Sequence, residues 1–185
     1  MNLVGELHDL LLSSTSTVAF TGAGVSTASG IRDFRGRNGI YNDTFRGYRV
    51  EELFGIDLFR QDPSLFYAWS RDFVYALDAF RPCTVHTVLA RLERLGLLHA
   101  VITQNIDRLH TLAGSKNVFE VHGSPQKHHC LTCGAEASYD VIAPIVRRGE
   151  VPRCACGGVF KPDIVFYGEP LPEAVFNGAL EASRH

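Results

Sequence analysis

The 185-residue sequence predicts an α/β protein in which a parallel sheet is flanked by helices and carries a smaller second lobe. Three observations predict this fold. Short apolar runs occur along the chain, and helical patterns alternate with them, which is typical of parallel α/β sheets. Two longer segments interrupt this alternation, and the second contains four clustered cysteines, as expected of a small metal-binding insertion.

Four short runs are predicted to be buried strands of the sheet: TVAFT at 17–21, HAVITQ at 99–104, VFEVHG at 118–123 and DIVFYG at 163–168. The last three are rich in Val, Ile and Phe, as expected for strands covered on both faces. Residues 84–96 show a helical pattern that ends at Gly96. One stripe of this helix is predicted to face the core: Val85, Val88, Leu89, Leu92 and Leu95.

The two interrupting segments divide the chain into three predicted units. The sheet domain comprises residues 1–30, 81–123 and 163–185. Residues 31–80 form a loop and a helical insertion, in which Asp62 can cap a helix and Pro63 suits its first turn. Residues 124–162 form the cysteine-bearing module.

Composition disfavours several classes of protein. The formal net charge is −2, and no basic run of the kind that binds nucleic acid is present, so no direct nucleic-acid contact is expected. The N-terminal residues include Glu6 and Asp9 and lack the basic start of a signal peptide. Because no apolar run approaches the roughly 20 residues that cross a bilayer, we expect no membrane contact and a cytoplasmic location.

The stretch TVAFTGAGVSTASG leads from the first strand into a glycine turn and a helix. Gly22, Ala23 and Gly24 allow backbone amides to approach a phosphate closely, and Ser26 could add a hydroxyl donor. The alternative is a plain tight turn. A dehydrogenase is disfavoured, because the third glycine of the dinucleotide fingerprint is absent and no acidic residue ends a second strand about 20 residues later.

The cysteines are unevenly placed, with Cys83 alone in the first half of the chain. The other four lie in one segment: Cys130, Cys133, Cys154 and Cys156. In a chain without an export signal, such pairs favour a metal over disulfides, and four thiolates predict a closed structural zinc site. The second pair is one residue shorter than usual, so His128 or His129 could replace one thiolate.

Polar residues follow two of the predicted strands, at the edge where ligands collect in open α/β sheets. Gln104, Asn105 and Asp107 follow the second strand, although Asn105 or Asp107 could simply cap the next helix. His122 ends the third strand, and Gly123 lets the backbone turn away. A histidine works as a base near neutral pH, because its reference pKa is about 6.5. Three other histidines are expected to be structural: His86, His99 and His110.

Five motifs occur in order along the chain: GAGVSTASGIRDFRG at 22–36, TQNID at 103–107, VHG at 121–123, the two cysteine pairs, and KPDIVFYGE at 161–169. Together they closely resemble the sirtuins, which are NAD-dependent protein lysine deacylases. The resemblance implies a Rossmann-like NAD-binding domain, NAD as a co-substrate cleaved at its nicotinamide bond, and one structural zinc. It also implies an acyl-lysine protein or peptide as substrate and O-acyl-ADP-ribose as a product.

The resemblance assigns roles to individual residues. Catalytic roles fall to His122, Asn105 and Asp107. The residues implied to bind NAD are Gly22, Ala23, Gly24, Ser26, Asp33, Phe34, Arg35, Gln104, Asn105, Ile106 and Asp107. Residues 33–35 are implied to form a mobile loop, in which Phe34 shields the reacting ribose and Arg35 lies near phosphate; the alternative is a solvated surface loop. Val165 and Phe166 are implied to line the acyl-lysine tunnel.

Three departures from the family pattern carry further expectations. Arg32 replaces a proline, which should loosen the loop. Sirtuins that remove acidic acyl groups carry a Tyr-x-x-Arg pair, but here Arg71 lies one position too far from Tyr67, so a neutral acyl group such as acetyl is favoured. Only sixteen residues follow Glu169, whereas sirtuins continue into further strands, so an exposed sheet edge and impaired activity are expected.

Two other functions stay open at this point. One is a non-catalytic module that binds zinc and NAD or ADP-ribose and has lost its catalytic machinery. The other is a mono-ADP-ribosyltransferase, which would cleave the same nicotinamide bond but transfer the product to a different acceptor. A dehydrogenase is a more distant alternative.

Overall fold

The computed structural model describes residues 2–184. Its strands are β1 (Val18–Thr21), β2 (Thr44–Phe45), β3 (Tyr48–Arg49), β4 (Ala100–Thr103), β5 (Val118–Glu120), β6 (Gly123–Cys130), β7 (Glu136–Ser138) and β8 (Phe160–Ile164). Its α-helices are α1 (Leu3–Ser13), α2 (Val50–Leu53), α3 (Ile56–Gln61), α4 (Pro63–Ser70), α5 (Thr84–Arg94), α6 (Leu109–Ala113), α7 (Tyr139–Arg147) and α8 (Glu173–Ala182). Short 3₁₀ helices cover Ala23–Ser29, Ile40–Asn42 and Val74–Ala79.

The first three predicted strands form the expected parallel sheet, in the order β1-β4-β5. The central strand β4 is buried along its whole length, as its apolar sequence predicts. Helix α8 contributes Ala179 to a small cluster with Ile102 and Val121 of the sheet. Because the strands are parallel, their carboxyl ends, and the polar residues that follow them, meet at one edge.

The fourth predicted strand does not join this sheet, so that expectation is wrong. Strand β8 pairs antiparallel with β6 in a second sheet of order β7-β6-β8. Apolar periodicity cannot distinguish a parallel strand from an antiparallel one. Strand β6, which begins at Gly123 directly after His122, is the strand with which β8 pairs. The predicted domain boundary at residue 163 therefore falls inside β8.

The helical insertion packs around an aromatic core. Pro63 starts α4, and Asp62 accepts a hydrogen bond from the first turn at 3.0 Å, as predicted. The rings of Phe59, Phe66 and Phe166 have centroids 5.0–5.5 Å apart. Phe166 belongs to the segment after β8, so this core joins the insertion to the end of the second sheet.

Helix α5 forms as predicted, but a different face is buried. Val85, Val88 and Leu95 are 43%, 48% and 62% exposed, respectively. The buried side chains are those of His86 and Ala90. Apolar spacing identifies a stripe but not the surface that the helix meets, and here a histidine with buried polar partners takes a core position.

Strand β1 lies at an edge of the sheet, since none of the described residues pairs with its second side. Phe20 on this strand is 66% exposed, and helix α1 has no buried residue. Within residues 2–184, this edge of the sheet is exposed. Among residues 2–184, no helix combines the length and the apolar character that crossing a bilayer requires.

Candidate active site

A cavity of about 490 Å³ opens at the carboxyl ends of the parallel strands. Ligand pockets commonly measure about 300–1,000 Å³. The predicted site residues that line this cavity are Ala23, Asp33, Phe34, Arg35, Gln104, Asn105, Ile106, His122, Val165 and Phe166. The predicted residues that do not line it are Gly22, Gly24, Ser26 and Asp107. The fold thus gathers residues from widely separated motifs around one space.

The glycine turn leads from β1 into a 3₁₀ helix rather than an α-helix. A Cβ placed on Gly24 would meet no atom within 4 Å, and one placed on Gly22 would meet only the Gln104 side chain, at 3.8 Å. The backbone is therefore open at both positions, as a closely approaching phosphate requires. Ala23 between them lines the cavity.

Ser26 lies behind the glycine turn, since it is only 1% exposed. Its hydroxyl donates to the Asp107 carboxylate at 2.6 Å and accepts from the Asn105 amide at 3.1 Å. A hydroxyl has one hydrogen, so Ser26 has none left for a phosphate oxygen in this arrangement. The structure connects Ser26 to the residues that follow β4.

Asp107 both caps a helix and takes part in this buried network. One carboxylate oxygen accepts from the Leu109 N–H at 2.9 Å, at the start of α6, while the other accepts from Ser26. The side chain is therefore held at both oxygens. Asp107 therefore caps α6, as the alternative proposed, and also belongs to the network behind the cavity.

His122 lines the cavity with a defined tautomer. Its Nδ1 lies 3.0 Å from the carbonyl oxygen of Gln104. Because a carbonyl oxygen only accepts, Nδ1 carries the hydrogen of the neutral ring, and Nε2 keeps a free lone pair. Gly123 turns the chain away with φ +75, where a Cβ would lie 2.0 Å from the Asp163 carbonyl oxygen. This geometry gives His122 the form of a general base.

Arg32 ties the following loop together, contrary to the expectation that it loosens it. The guanidinium forms two hydrogen bonds with the Asp43 carboxylate, at 2.7 and 3.1 Å. It also donates to the backbone carbonyls of Asn38 at 2.9 Å and Gly39 at 3.4 Å. These bonds cross the loop and replace the torsional restraint that a proline would supply.

Asp33 lines the cavity while its side chain bends back onto its own loop. Its carboxylate accepts from the Gly36 N–H at 3.0 Å. A Cβ on Gly39 would lie 2.5 Å from the Phe34 carbonyl oxygen, so this turn requires a glycine. The loop therefore has an internal order that a solvated surface loop need not have.

Phe34 and Arg35 extend from this loop in different directions. The Phe34 ring packs edge-on against Tyr41 and Phe54, with centroids 5.1 and 6.3 Å away. The exposed Arg35 guanidinium donates to the Tyr167 hydroxyl at 2.9 Å. Phe34 is thus anchored in aromatic packing, and Arg35 bridges the loop to the opposite wall.

The opposite wall consists of residues 164–169. Lys161 lies behind it with its side chain 2% exposed. The ammonium donates to the Ile164 carbonyl at 2.9 Å and to the Glu169 carboxylate at 2.8 Å. Burial lowers the pKa of Lys161, and Glu169 opposes this shift. One buried cation therefore holds both ends of the wall.

Val165 and Phe166 occupy this wall, where the family resemblance places the acyl-lysine tunnel. The Val165 N–H donates to the His122 carbonyl at 2.8 Å. Phe166 is 1% exposed and belongs to the aromatic core of the insertion. This hydrogen bond attaches the wall directly to His122, whose Nε2 carries the free lone pair.

Sequence reasoning missed several cavity residues. Tyr167 and Glu169 stand inside the KPDIVFYGE motif, so the motif contained the signal for them. The Tyr167 hydroxyl donates to that of Tyr41 at 3.3 Å across the cavity. For Tyr41 and Phe54, the aromatic richness of the insertion was the available signal, and it did not single them out.

Tyr67 and Arg71, which bear on the acyl preference, lie away from the cavity. Tyr67 is 2% exposed, and its hydroxyl donates to the Phe160 carbonyl oxygen. Arg71 pairs with the adjacent Asp72 at 3.0 Å on the surface. Of the described residues that line the cavity, Arg35 is the one that carries a permanent positive charge.

The four clustered cysteines are positioned to hold a zinc ion. The Sγ atoms of Cys130 and Cys156 are 3.5 Å apart, those of Cys133 and Cys154 are 3.7 Å apart, and all four lie within 4.8 Å of one another. A tetrahedral zinc with Zn–S bonds of about 2.3 Å needs sulfurs about 3.8 Å apart. The shorter Cys-x-Cys pair therefore fits the site.

The two neighbouring histidines do not take part in this cluster. Nε2 of His128 lies 2.7 Å from the Tyr75 hydroxyl, and Nδ1 of His129 lies 2.6 Å from the Asp163 carboxylate. Among residues 2–184, the group of possible metal ligands contains the cysteines alone. With four protein thiolates, such a site leaves no open position for water and is structural.

The thiols differ in how easily they ionise. A hydrogen bond from the Cys133 backbone N–H lowers the pKa of Cys130 to about 6. The Gly158 N–H lowers the pKa of Cys156, but the neighbouring sulfurs outweigh it and raise the pKa to about 12. Four thiolates at this spacing repel one another, so a bound divalent cation is needed for all of them to ionise together.

Comparison with known proteins gives a consistent result. Residues 22–185 match the Sir2 family. An NAD-dependent protein deacetylase of Sulfurisphaera tokodaii is 47% identical over 180 residues, which is 97% of this chain and 69% of that protein. One similar structure is Sir2 with a deacetylated p53 peptide and 3′-O-acetyl ADP-ribose, at TM-score 0.89 and 40% identity, covering 97% of this chain and 72% of that one. Another is Sir2 with a p53 peptide and NAD⁺, at TM-score 0.84 and 40% identity, covering 96% of this chain and 70% of that one.

The matched range contains the glycine turn, the Arg32 loop, both sets of strand-end residues, the cysteine cluster and the wall after β8. Sequence identity and fold agree over nearly all of the chain, and they agree with the geometry of the cavity. On this combination of sequence, fold and site, the chain belongs to the Sir2 family, the sirtuins.

Proposed function

We propose that this protein is an NAD-dependent protein lysine deacetylase. The observation that carries the proposal is the tautomer of His122, whose free Nε2 lone pair lies in the same cavity as Ala23 of the glycine turn and Asn105 after β4. A base beside an open phosphate-binding turn suits a reaction on the sugar of a dinucleotide. The name of the Sulfurisphaera tokodaii relative and the ligands in the similar Sir2 structures agree with this chemistry.

In this proposal, NAD lies across the carboxyl ends of the strands. Its pyrophosphate rests against the open backbone at Gly22 and Gly24. Asn105 and Ile106 contact the nicotinamide half, and Asp107 supports them from behind through Ser26. Phe34 covers the reacting ribose, and Arg35 pairs with a phosphate once it leaves Tyr167.

The reaction transfers an acetyl group to a sugar hydroxyl. The amide oxygen of acetyl-lysine bonds to the ribose carbon as nicotinamide leaves with the electron pair of its bond. Nε2 of His122 takes the proton of a ribose hydroxyl, whose oxygen then attacks the activated amide carbon. Water completes the exchange, and the products are lysine, nicotinamide and O-acetyl-ADP-ribose. Throughout, the Nδ1–H of His122 stays bonded to Gln104.

The wall after β8 receives the acyl-lysine substrate in this scheme. Val165 and Phe166 give it an apolar surface, which suits the methyl group of an acetyl and the lysine stem. The buried position of Tyr67 and the surface pairing of Arg71 supply no cation for an acidic acyl group there. Zinc at the cysteines has a structural role. A cytoplasmic location and the lack of nucleic-acid contact stay predictions from composition.

The test is to incubate the chain with NAD and an acetyl-lysine peptide and to measure nicotinamide and deacetylated peptide together. We expect equimolar release of both. In a His122→Ala variant, deacetylation should fall about 10²–10⁴-fold while NAD binding is retained, because the substitution removes a general base and no binding group. His99→Ala is the matched control, since His99 is exposed at the opposite end of β4.

The other outcomes distinguish the alternatives. Binding of NAD or ADP-ribose without nicotinamide release would make the chain a binding module. Nicotinamide release with labelled protein and intact acetyl-lysine would make it a mono-ADP-ribosyltransferase. A fully active His122→Ala variant would remove His122 from the mechanism.

A further inference from the structure

We propose that Arg32 and Asp43 are positioning residues, because their ion pair closes the loop of residues 32–43 and holds its cavity-lining side chains in place before NAD binds. The residues of this loop that line the cavity are Asp33, Phe34, Arg35, Gly36 and Tyr41. Arg32 and Asp43 do not line it, so they act through the loop. The kinetic part of the inference rests on the proposed deacetylase function, whereas the order of the unliganded loop does not.

The loop has an outgoing limb, residues 32–36, and a returning limb, residues 38–43. The Tyr41 N–H of the returning limb donates to the Phe34 carbonyl oxygen at 3.0 Å. The rings of Phe34 and Tyr41 pack edge-on, with their centroids 5.1 Å apart. Because the returning limb makes both contacts, the position of Phe34 depends on where that limb lies.

The Arg32 side chain joins the two limbs by four hydrogen bonds. Two of them form a fork with the Asp43 carboxylate, at 2.7 and 3.1 Å. The others reach the backbone carbonyls of Asn38 at 2.9 Å and Gly39 at 3.4 Å. All four acceptor atoms belong to the returning limb. Since an arginine fork fixes the orientation of a carboxylate, this contact sets the position of the returning limb relative to the outgoing one.

The ion pair between Arg32 and Asp43 is charged at neutral pH. Hydrogen bonds from Arg32, with its positive charge, lower the pKa of the Asp43 carboxyl below its ordinary value. The two side chains are 49% and 44% exposed, so water and salt screen their attraction. We therefore expect the pair to affect the order of the loop and to contribute little to global stability.

A loop that already has its binding conformation binds NAD more tightly than a loop that must first be ordered. If the loop adopts that conformation for only a fraction of the time, the apparent affinity for NAD falls by the same fraction. Once NAD is bound, its contacts with Phe34 keep the loop ordered. The hydrogen bond between His122 and Gln104 lies outside the loop. Loss of the ion pair should therefore raise KM for NAD and leave kcat nearly unchanged.

A test without any ligand uses trypsin, because the loop contains two cleavage sites, Arg35 and Arg37. We expect cleavage after these residues, followed by mass spectrometry, to be about tenfold faster in Arg32→Ala than in wild type, since the open loop is more populated. Arg32→Pro should cleave at about the wild-type rate, because proline restrains the backbone without the ion pair. Cleavage after Arg148, which follows α7, is the internal reference and should not change.

A kinetic test combines substitutions at both ends of the loop. In the wild-type background, KM for NAD should rise about tenfold in Arg32→Ala and about fivefold in Asp43→Ala, with kcat within about twofold. In the Arg32→Pro background, Asp43→Ala should have no effect, because its partner is absent. Arg71→Ala is the matched control, since it removes a similar fork to the adjacent Asp72 and should leave KM and kcat unchanged.

Equal cleavage of the loop in wild type and Arg32→Ala would overturn the proposal, whether or not the protein deacylates lysine. Faster cleavage with an unchanged KM would also overturn it, because the pair would then order the loop without positioning a cavity residue. A lower urea midpoint in Arg32→Ala would show a structural role and have the same consequence. If wild type does not turn over, equilibrium binding of NAD replaces KM in the same comparison, so failure of the proposed function remains distinguishable.

Discussion

Individual polar residues behind the cavity are held by complete sets of partners. Ser26 shows this for a hydroxyl, and Lys161 shows it for a charge, with donors directed to two backbone carbonyls and to Glu169. The Lys161 ammonium also lies 4.3 Å from the centroid of the Phe166 ring. A buried cation tolerates this position only because the partners replace its hydration.

Lys161→Met is therefore expected to destabilise the protein by about 3 kcal/mol, because it leaves the Glu169 carboxylate without its cation and two backbone carbonyls without the lysine donor. Urea unfolding monitored by circular dichroism measures this. The matched control is Lys127→Met, whose partner pair with Glu136 is 67% exposed on both sides and is worth at most about 1 kcal/mol. Equal losses in the two variants would contradict the role of Lys161.

At the residue scale, sequence motifs identified most of the candidate site but not its internal connections. Asn105, His122 and Phe34 reach the cavity as expected. His86 was expected to be a structural histidine, and it is buried, but its contact with Ser26 joins positions 60 residues apart in the chain. No local pattern encodes such a contact, because it depends on how α5 packs against the sheet.

Among the elements, the junction between β5 and β6 determines the site. Strand β5 of one sheet ends at Glu120 and β6 of the other begins at Gly123, so the chain changes sheet across two residues, Val121 and His122. Gly123 makes this possible with its positive φ and its close approach to Asp163. The same junction places the His122 ring beside Gln104.

Replacing Gly123 with alanine should therefore cost more than the usual penalty for a left-handed residue. Gly149→Ala is a matched control, because Gly149 has φ +84 but open space around its Cβ position. We expect a loss of about 1–2 kcal/mol for Gly149→Ala and clearly more for Gly123→Ala, since its Cβ would overlap the Asp163 carbonyl oxygen. Thermal unfolding of the two variants provides the comparison, and similar melting temperatures would argue against a steric role.

The elements also show which sequence signals were reliable. Three parallel strands and helix α5 lie where apolar periodicity predicts them. The partner of β8 and the buried face of α5 were predicted wrongly, because both depend on which surface an apolar run meets. The loosening expected from Arg32 was also wrong, since the sequence does not show that Asp43 lies within reach.

For the molecule as a whole, the cysteine cluster joins the ends of the second sheet. Cys130 ends β6, whereas Cys154 and Cys156 precede β8. A zinc ion between them closes the segment that separates these strands, and β8 leads directly into the wall of the cavity. The metal is therefore coupled to the substrate side of the site through the second sheet, although it lies outside the cavity.

Metal analysis should accordingly find about one zinc per chain, and Cys130→Ser should lose it and unfold the smaller lobe. Loss of a structural zinc removes several kcal/mol of folding free energy. Cys83→Ser is the control and should keep its zinc, since Cys83 lies outside the cluster. A fully folded chain that contains no metal would contradict the zinc assignment.

The sequence by itself determined the family, the parallel sheet, the cysteine ligands and most residues of the cavity. The sheet follows from local apolar periodicity, and the others follow from short motifs whose residues must lie close together in the chain for chemical reasons. Only the tertiary structure decided the sheet to which β8 belongs, the direction of the Ser26 hydroxyl and the tautomer of His122. Those properties depend on hydrogen-bond partners that are distant in the chain, and the partners become defined only when the elements pack together.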